Sequence, residues 1–367
     1  MIDRNRDKIC KIEERKIDHK NRRKRFLSIS MCLVMMSQIL TGCGILNQAK
    51  QYQTTGFAMG TVITQNMYGG NEEVAQEILA VIHNLEQTIS WRIEGTDVDR
   101  INDAAGTGQA VSVNDRLAGW LKECSEVYDR SGGCLDVTVG PVSRLWDIGG
   151  ENPRVPEAEE LAAAVHKVDS EKMIVDGNEV CFFTEEGQLD LGAVGKGIGC
   201  DEIFDYIVTN YPKLNGTFSV GGSVLIYGAK PNKQPWKIGI RDPRGAEGEY
   251  MGSLTLSLKE GEKINVSTSG DYEKYFEEDG IRYHHILDPK TGAPAESDLI
   301  SVTIISESGF LTDALSTACF VAGKDAGLKL AKEFEAEAIL ITKDGEVCMT
   351  EEAAEWFDLI NTDYEIK

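Results

Sequence analysis

The strand-like segments of this chain come in hairpins. MIVDGNEVCFF (173–183) and AILITKDGEVCMT (338–350) each read as two short apolar runs folded back around a glycine turn. Residues 216–308 are mostly strands and turns, and steady β-α-β alternation is absent. That arrangement predicts an α+β fold with antiparallel sheets and packed helices rather than a doubly wound parallel sheet. TGFAMGTVITQNMY (55–68) reads as a strand. Apolar residues at 74, 78, 81, 82, 85 and 89 of EEVAQEILAVIHNLEQTISW make a helical stripe. NDRLAGWLKECSEVYDRSGG is a second helix, capped by Asn114 and stopped by Gly132 and Gly133. EAEELAAAVHKV, DEIFDYIVTNY, FLTDALSTACFVAG and AGLKLAKEFEA supply more. No internal repeat, low-complexity tract or long linker interrupts residues 53–367, so they are expected to form one domain.

Charge divides the chain. Residues 1–42 hold 11 of the 38 basic and 5 of the 60 acidic residues, leaving 27 basic against 55 acidic in the body. A body so acidic is a poor nucleic-acid binder, because phosphate contacts need a basic surface. An anionic ligand there needs local help from backbone N–H groups or a metal ion. The basic front end reads as a targeting segment: NRRKRF (21–26) is an n-region, and FLSISMCLVMMSQIL (26–40) is an apolar h-region too short for a typical membrane span. It ends in LTGC (40–43), so residues 1–42 resemble a bacterial lipoprotein signal with Cys43 as the lipidation site. Residues 1–20 lie upstream of that signal, as a start codon set too early would leave them. Residues 43–52 are then a lipid-anchored tether, and the body is expected on the extracytoplasmic face of the cell membrane. An uncleaved anchor is the other reading, and it gives the same location. Of nine cysteines, six lie in the body (Cys124, Cys134, Cys181, Cys200, Cys319 and Cys348), with no C-x-x-C pair to suggest zinc. They are expected to be free thiols at apolar positions.

Several stretches could carry chemistry. LDLGAVGKGIGCDEIF (189–204) packs Gly192, Gly195, Gly197 and Gly199 into a strand-to-helix junction. It matches neither G-x-G-x-x-G nor the P-loop, in which Ser or Thr stands where Gly197 follows Lys196. It leaves a turn, a lysine and helix-start N–H groups after the acid Asp190, or else a tight turn with no ligand. In TDALST (312–317), Asp313 and Thr317 stand i, i+4 on one helix face, a hard-oxygen pair suited to Mg²⁺ or simply a cap and a spectator. Thr268, Ser269 and Gly270 suit a tight polar loop. His284 and His285 are neighbours, so in a strand they face opposite sides. DPKTG (288–292) is a turn signal. Asp136 opens an apolar stretch that reads as a buried strand ending in a turn at Gly140–Pro141. No G-x-S-x-G or H-E-x-x-H motif is present.

The order of the blocks is more specific than any one of them. MGT (59–61), SW (90–91), LDVTVGP (135–141), LDLGAVGKG (189–197), VGG (220–222), TSGDY (268–272), HILDPKTG (285–292) and DALSTA (313–318), with the LTGC signal, resemble the FAD:protein FMN transferases, the ApbE-like lipoproteins. The likeness runs from about residue 53 to about residue 350. It implies a T-fold-related α+β architecture and an Mg²⁺-dependent enzyme. Such an enzyme transfers the FMN half of FAD to a Thr or Ser hydroxyl of an acceptor flavoprotein of a membrane redox complex, releasing AMP.

Carried over position by position, the resemblance implies that the Ala193 carbonyl, Asp313 and Thr317 hold the metal. Asp190, Lys196 and Gly197 would border FAD, while Met59 and Trp91 line the flavin or adenine. Leu135 and Asp136 lie in a block that touches the nucleotide, and His285 is the candidate base. Gly195 replaces a common alanine, and Trp91 stands at a variable place that in some members separates FMN transfer from FAD hydrolysis. DGNEV (176–180) and DGEVC (344–348) do not fit an acceptor motif of the D-G-x-x-T kind, so self-flavinylation is not indicated. An FAD pyrophosphatase with the same site and a non-catalytic flavin-binding lipoprotein are the competing readings.

Overall fold

The computed structural model describes residues 50–367. The signal segment, Cys43 and all of the tether but its last residues lie outside the described residues. Among the described residues no helix is long and apolar enough to cross a membrane.

A nine-stranded sheet organises the molecule, and its strands lie side by side in their chain order. They are Gln51–Ala58, Thr61–Tyr68, Asn215–Val220, Ser223–Tyr227, Lys263–Gly270, Leu299–Ser306, Glu337–Thr342, Glu346–Met349 and Glu365–Ile366. Every neighbouring pair is antiparallel except the last. The α+β reading with antiparallel sheets therefore holds. Two further three-stranded sheets and the hairpin Tyr275–Glu278/Ile281–His284 complete the β structure of the described residues.

Both faces of the central strand Leu299–Ser306 are buried, as its near-continuous apolar run requires. Val302 and Ile304 join the core under the helices Asp115–Ser131 and Gly309–Ala322, while Ile305 joins the core beneath the sheet Trp236–Arg241, Tyr250–Leu256 and Phe357–Leu359. The stripe on the helix Glu72–Ile89 buries Val74, Ile78, Ile82, Leu85 and Ile89. Asn114 caps the next long helix by accepting from the Leu117 N–H at 2.8 Å, and Gly132 ends it in the left-handed region.

Four local readings are corrected. The segment 55–68 is a hairpin rather than one strand: Met59 and Gly60 both have positive φ, the backbone of a two-residue turn. Its first strand starts at Gln51, inside the segment read as tether. Thr268, Ser269 and Gly270 end a sheet strand rather than form a loop, because their hydroxyls find partners on flanking elements. The stretch after Asp136 is no strand: the Asp136 carboxylate accepts from its own near neighbour Thr138, at both N–H (2.8 Å) and Oγ1 (2.6 Å). Only Val139 makes a bridge, to Gln188, and Gly140–Trp146 is a helix with Pro141 in its first turn.

Candidate active site

The glycine cluster lies at the start of the helix Gly195–Asn210, and none of its four glycines has positive φ. They are there for close approach. A Cβ on Gly197 would stand 2.0 Å from the Gly309 carbonyl oxygen and 2.7 Å from Asp313 Cβ. A Cβ on Gly309 would stand 2.4 Å from the Gly197 oxygen. Gly195 admits the ends of Ile89 and Met59, and Gly199 admits Ile82. The first turns of this helix and of Gly309–Ala322 therefore meet backbone to backbone.

That contact puts Asp313, 1% exposed, at the mouth of the glycine helix. Its Oδ2 accepts from the N–H groups of Lys196 and Gly197, both at 3.0 Å. Its Oδ1 takes the Lys196 ammonium at 2.9 Å and the Ser223 hydroxyl at 3.3 Å. The helix-start N–H groups, the local help an anionic ligand would need, are thus partly engaged by a carboxylate, whose charge suits a helix N-terminus.

A row of hydroxyls extends from there. Ser267 Oγ donates to Ser223 Oγ at 2.9 Å and lies 2.8 Å from Thr312 Oγ1. Ser269 Oγ lies 2.8 Å from Ser316 Oγ and 3.3 Å from Thr317 Oγ1. Ser267 and Ser269 are two apart in one strand, so they share a face and meet Thr312, Ser316 and Thr317 across the sheet–helix interface. The alternation of serines at 267 and 269 is a sequence signal of that strand face.

Among the described residues no group of three His, Cys, Asp or Glu side chains is placed to hold a metal ion. The donors around Asp313 are a carboxylate and hydroxyls, which suit a hard cation such as Mg²⁺ rather than zinc. The Lys196 ammonium on Oδ1 shows that a positive charge is stable at this carboxylate. Thr317, half-buried, stands one turn beyond Asp313 on the same helix, and Ala193, half-buried, precedes the glycine helix by two residues.

Cations gather at the rim. The Lys196 stem runs past Gly221, whose Cβ would lie 3.4 Å from Lys196 Cδ. His285 Nδ1 lies 3.2 Å from the Lys274 carbonyl oxygen, and the His285 N–H donates to the same oxygen. Burial, then the charges of Lys196 and Lys274, push the His285 imidazole down to about 3. Burial, then Lys196 and Arg92, hold the Lys274 ammonium below the usual lysine range. The guanidinium groups of Arg92 and Arg144 lie over the Trp91 ring, 4.1 and 4.4 Å from its centroid. Burial lowers the Arg144 pKa, and the charges of Asp99 and Asp190 oppose it. Asp190 is half-buried, and its Oδ1 accepts from the Gly192 N–H at 2.8 Å. Met59, at the tip of its hairpin, reaches Gly195.

Lys196, Gly197, Asp313, Thr317, His285 and Met59 are therefore brought into one neighbourhood, with Asp190 and Trp91 tied to it through Arg92, Arg144 and Lys274. Leu135 and Asp136 are buried, but the Asp136 carboxylate turns to Thr138 rather than to this neighbourhood. Leu135 belongs to the helix-side core, and burial raises the Asp136 pKa against the Thr138 hydrogen bonds. His284 faces the other way, edge-on to Phe320 with ring centroids 5.5 Å apart. DPKTG is a turn in which the Gly292 carbonyl accepts from the Trp146 indole at 2.7 Å. Sequence reasoning does not reach Lys274, Arg92, Arg144 and Ser223, because no local pattern marks residues that meet only across elements; Ser267 alone among the added residues carries a signal, its alternation with Ser269.

The profile of the ApbE family matches residues 59–340. The chain belongs to the ApbE family. It is 30% identical over 318 residues to the FAD:protein FMN transferase of Vibrio cholerae, covering 85% of this chain and 93% of that one. The crystal structure of the ApbE protein of Thermotoga maritima superposes with a TM-score of 0.76 at 32% identity, covering 84% of this chain and 99% of its own. The flavinyl transferase ApbE of Pseudomonas stutzeri, in its apo form, gives 0.73 at 30% identity, with 85% and 98% covered. The family match spans every element that builds the site just described, from Met59 to the Asp313 helix.

Proposed function

We infer that this chain transfers the FMN half of FAD to a Thr or Ser hydroxyl of an acceptor protein and releases AMP. The observation that carries the reading is the meeting of a cationic rim (Lys196, Lys274, Arg92 and Arg144) with a buried carboxylate, Asp313, in an otherwise acidic body. A pyrophosphate needs such local positive charge, and phosphoryl transfer is mostly positioning and charge neutralisation. Asp313, Thr317 and the Ala193 carbonyl would hold Mg²⁺. When bound, the ion supplies Lewis-acid polarisation of the pyrophosphate and steadies the AMP leaving group.

The chain's own residues do the rest. The Lys274 carbonyl can only accept, so the Nδ1 of His285 carries the proton and Nε2 keeps its lone pair. Nε2 takes the acceptor hydroxyl's proton as that oxygen bonds the FMN-side phosphorus and the bond to the AMP phosphate breaks. Lys274 stands ready for the phosphate oxygens, Lys196 would join it on leaving its ion pair with Asp313, and Trp91 and Met59 offer apolar surface to a ring. Lipidation at Cys43, residence on the extracytoplasmic face and acceptors in membrane redox complexes belong to the same proposal, supported by the LTGC signal.

The test incubates purified protein with FAD, Mg²⁺ and an acceptor carrying a D-G-x-x-T segment. FMN mass on the acceptor with equimolar AMP, both lost in EDTA and restored by excess Mg²⁺, is expected. AMP with free FMN and an acceptor that a known transferase labels but this protein does not would make it a pyrophosphatase instead. Bound FAD with no AMP at all would leave only a flavin-binding protein.

His285→Ala is expected to slow FMN transfer by roughly 10² to 10⁴ while leaving measurable AMP release, the usual range for a positioned base. Because the imidazole pKa is lowered in the folded protein, the neutral base persists as pH falls below 6.5 and is lost only near about 3. The kcat/KM profile should therefore show no acid inflection around 6.5. An inflection there that His285→Ala removes would overturn the assigned environment of the base.

A further inference from the structure

Two carboxylates cap one another's helices. Asp313, on the helix Gly309–Ala322, accepts from the Lys196 and Gly197 N–H groups that open the helix Gly195–Asn210. Asp201, on that second helix, accepts from Gly309 N–H at 3.0 Å and Phe310 N–H at 2.8 Å, the opening of the first. Residue 197 lies against 313 and residue 201 against 309, so the helices run antiparallel where they touch. Their first turns interlock around the Gly197–Gly309 backbone contact. Lys263, from the neighbouring sheet strand, holds Asp201 Oδ1 at 2.9 Å, and its ammonium lies 4.1 Å from the Phe204 ring centroid. Ser308 caps the Asp313 helix separately, accepting from Leu311 N–H at 3.2 Å.

We propose that Asp201 is a positioning residue for Asp313. Each cap spans two orphan donors of the other helix, so neither helix can rotate or slide without breaking both. Asp313 is one turn from the amides that Asp201 holds, and its carboxylate would have to keep a fixed aim between the Lys196 and Gly197 amides and the cation it would hold. Ser308 stabilises its own helix but does not tie it to the other. Asp201 does both, and Lys263 fixes Asp201 to the sheet strand that carries Ser267 and Ser269.

The inference rests on the reading of Asp313 as a metal ligand, and the test separates the two. Mn²⁺ binding is titrated on the whole protein with FAD present, free Mn²⁺ being read by electron paramagnetic resonance. Asp201→Asn keeps the size and one acceptor but loses the charge. It should weaken Mn²⁺ binding about 10- to 100-fold, the range for outer partners of a metal ligand. Ser308→Ala, which removes a cap of the same helix, should lower Tm comparably and leave Mn²⁺ affinity within about twofold of wild type, against the roughly ten- to hundredfold expected of an outer partner. Lys263→Met, which leaves both caps in place, should weaken binding by a smaller factor, and it carries the test if Asp201→Asn does not fold. Equal Mn²⁺ affinity in wild type and in the folded Asp201 or Lys263 variants would overturn the inference and spare the metal reading. Equal losses in Asp201→Asn and Ser308→Ala would reduce Asp201 to a plain helix cap. No Mn²⁺ bound by wild type would overturn the metal reading and the inference with it.

Discussion

Asp313→Ala is expected to lower AMP release from FAD by roughly 10³-fold or more, equivalent to about 4 kcal/mol of transition-state stabilisation. The side chain has three tasks, and alanine performs none. It accepts from two helix-start amides, it balances the Lys196 ammonium, and it brings a carboxylate to the hydroxyl row at Ser223. Loss of the two amide bonds should also destabilise the fold by about 1–2 kcal/mol, as for other removed caps. Asp313→Asn separates these effects. The amide oxygen can still accept from Lys196 and Gly197, so most of the stability should remain. The negative charge is gone, so metal-dependent AMP release should stay near the alanine level. Comparing Tm with single-turnover AMP formation for both variants checks this. A folded Asp313→Asn protein with activity within tenfold of wild type would remove Asp313 from the chemistry.

Gly197→Ala should damage fold and activity together. The new methyl would lie 2.0 Å from a backbone oxygen of Gly309, and backbone cannot rotate aside as a side chain can. The two helices would have to separate, and forced overpacking of this kind costs about 1–3 kcal/mol or more. Alanine's better helix propensity returns up to about 1 kcal/mol, so the net change is a loss. Separation also draws Asp313 away from Lys196, and misplacement of a reacting group by about 1 Å can cost roughly 10²-fold in rate. Gly119→Ala is the matched control. It too lies within a helix, and its Cβ would meet nothing within 4 Å. It should raise stability by about 0.5–1 kcal/mol. Chemical denaturation of the pair decides the matter: similar stabilities would mean the helices do not meet as described.

Local patterning made the helices and hairpins legible. The 74–89 stripe, the Asn114 cap and the glycine turns each depend on residues within a few positions of one another, where side-chain spacing alone chooses the backbone. Met59–Gly60 was hidden because Met is an unusual residue at positive φ and interrupts no apolar run. The Asp136 segment looked like a strand because its apolar composition is strand-like. Its carboxylate instead satisfies the neighbouring Thr138 donors within the segment, which a composition reading does not see.

The candidate site divides in the same way. The order of the motif blocks was enough for the family, the hairpins for the α+β class, and the residue types for Asp313, Lys196 and His285 as the residues to examine. The packed fold explains the glycines: Gly197 lets two helices touch, Gly195 and Gly199 admit side chains from neighbouring elements, and no left-handed loop is involved. Only it showed that Asp313 and Asp201 cap each other's helices, and that Lys274, Arg92 and Arg144 gather beside His285 and Trp91. Spacing along the chain encodes what lies within one helix turn or strand pair. Contacts between residue 201 and residue 309, or between 91 and 144, exist only after separate cores have packed and brought their elements together.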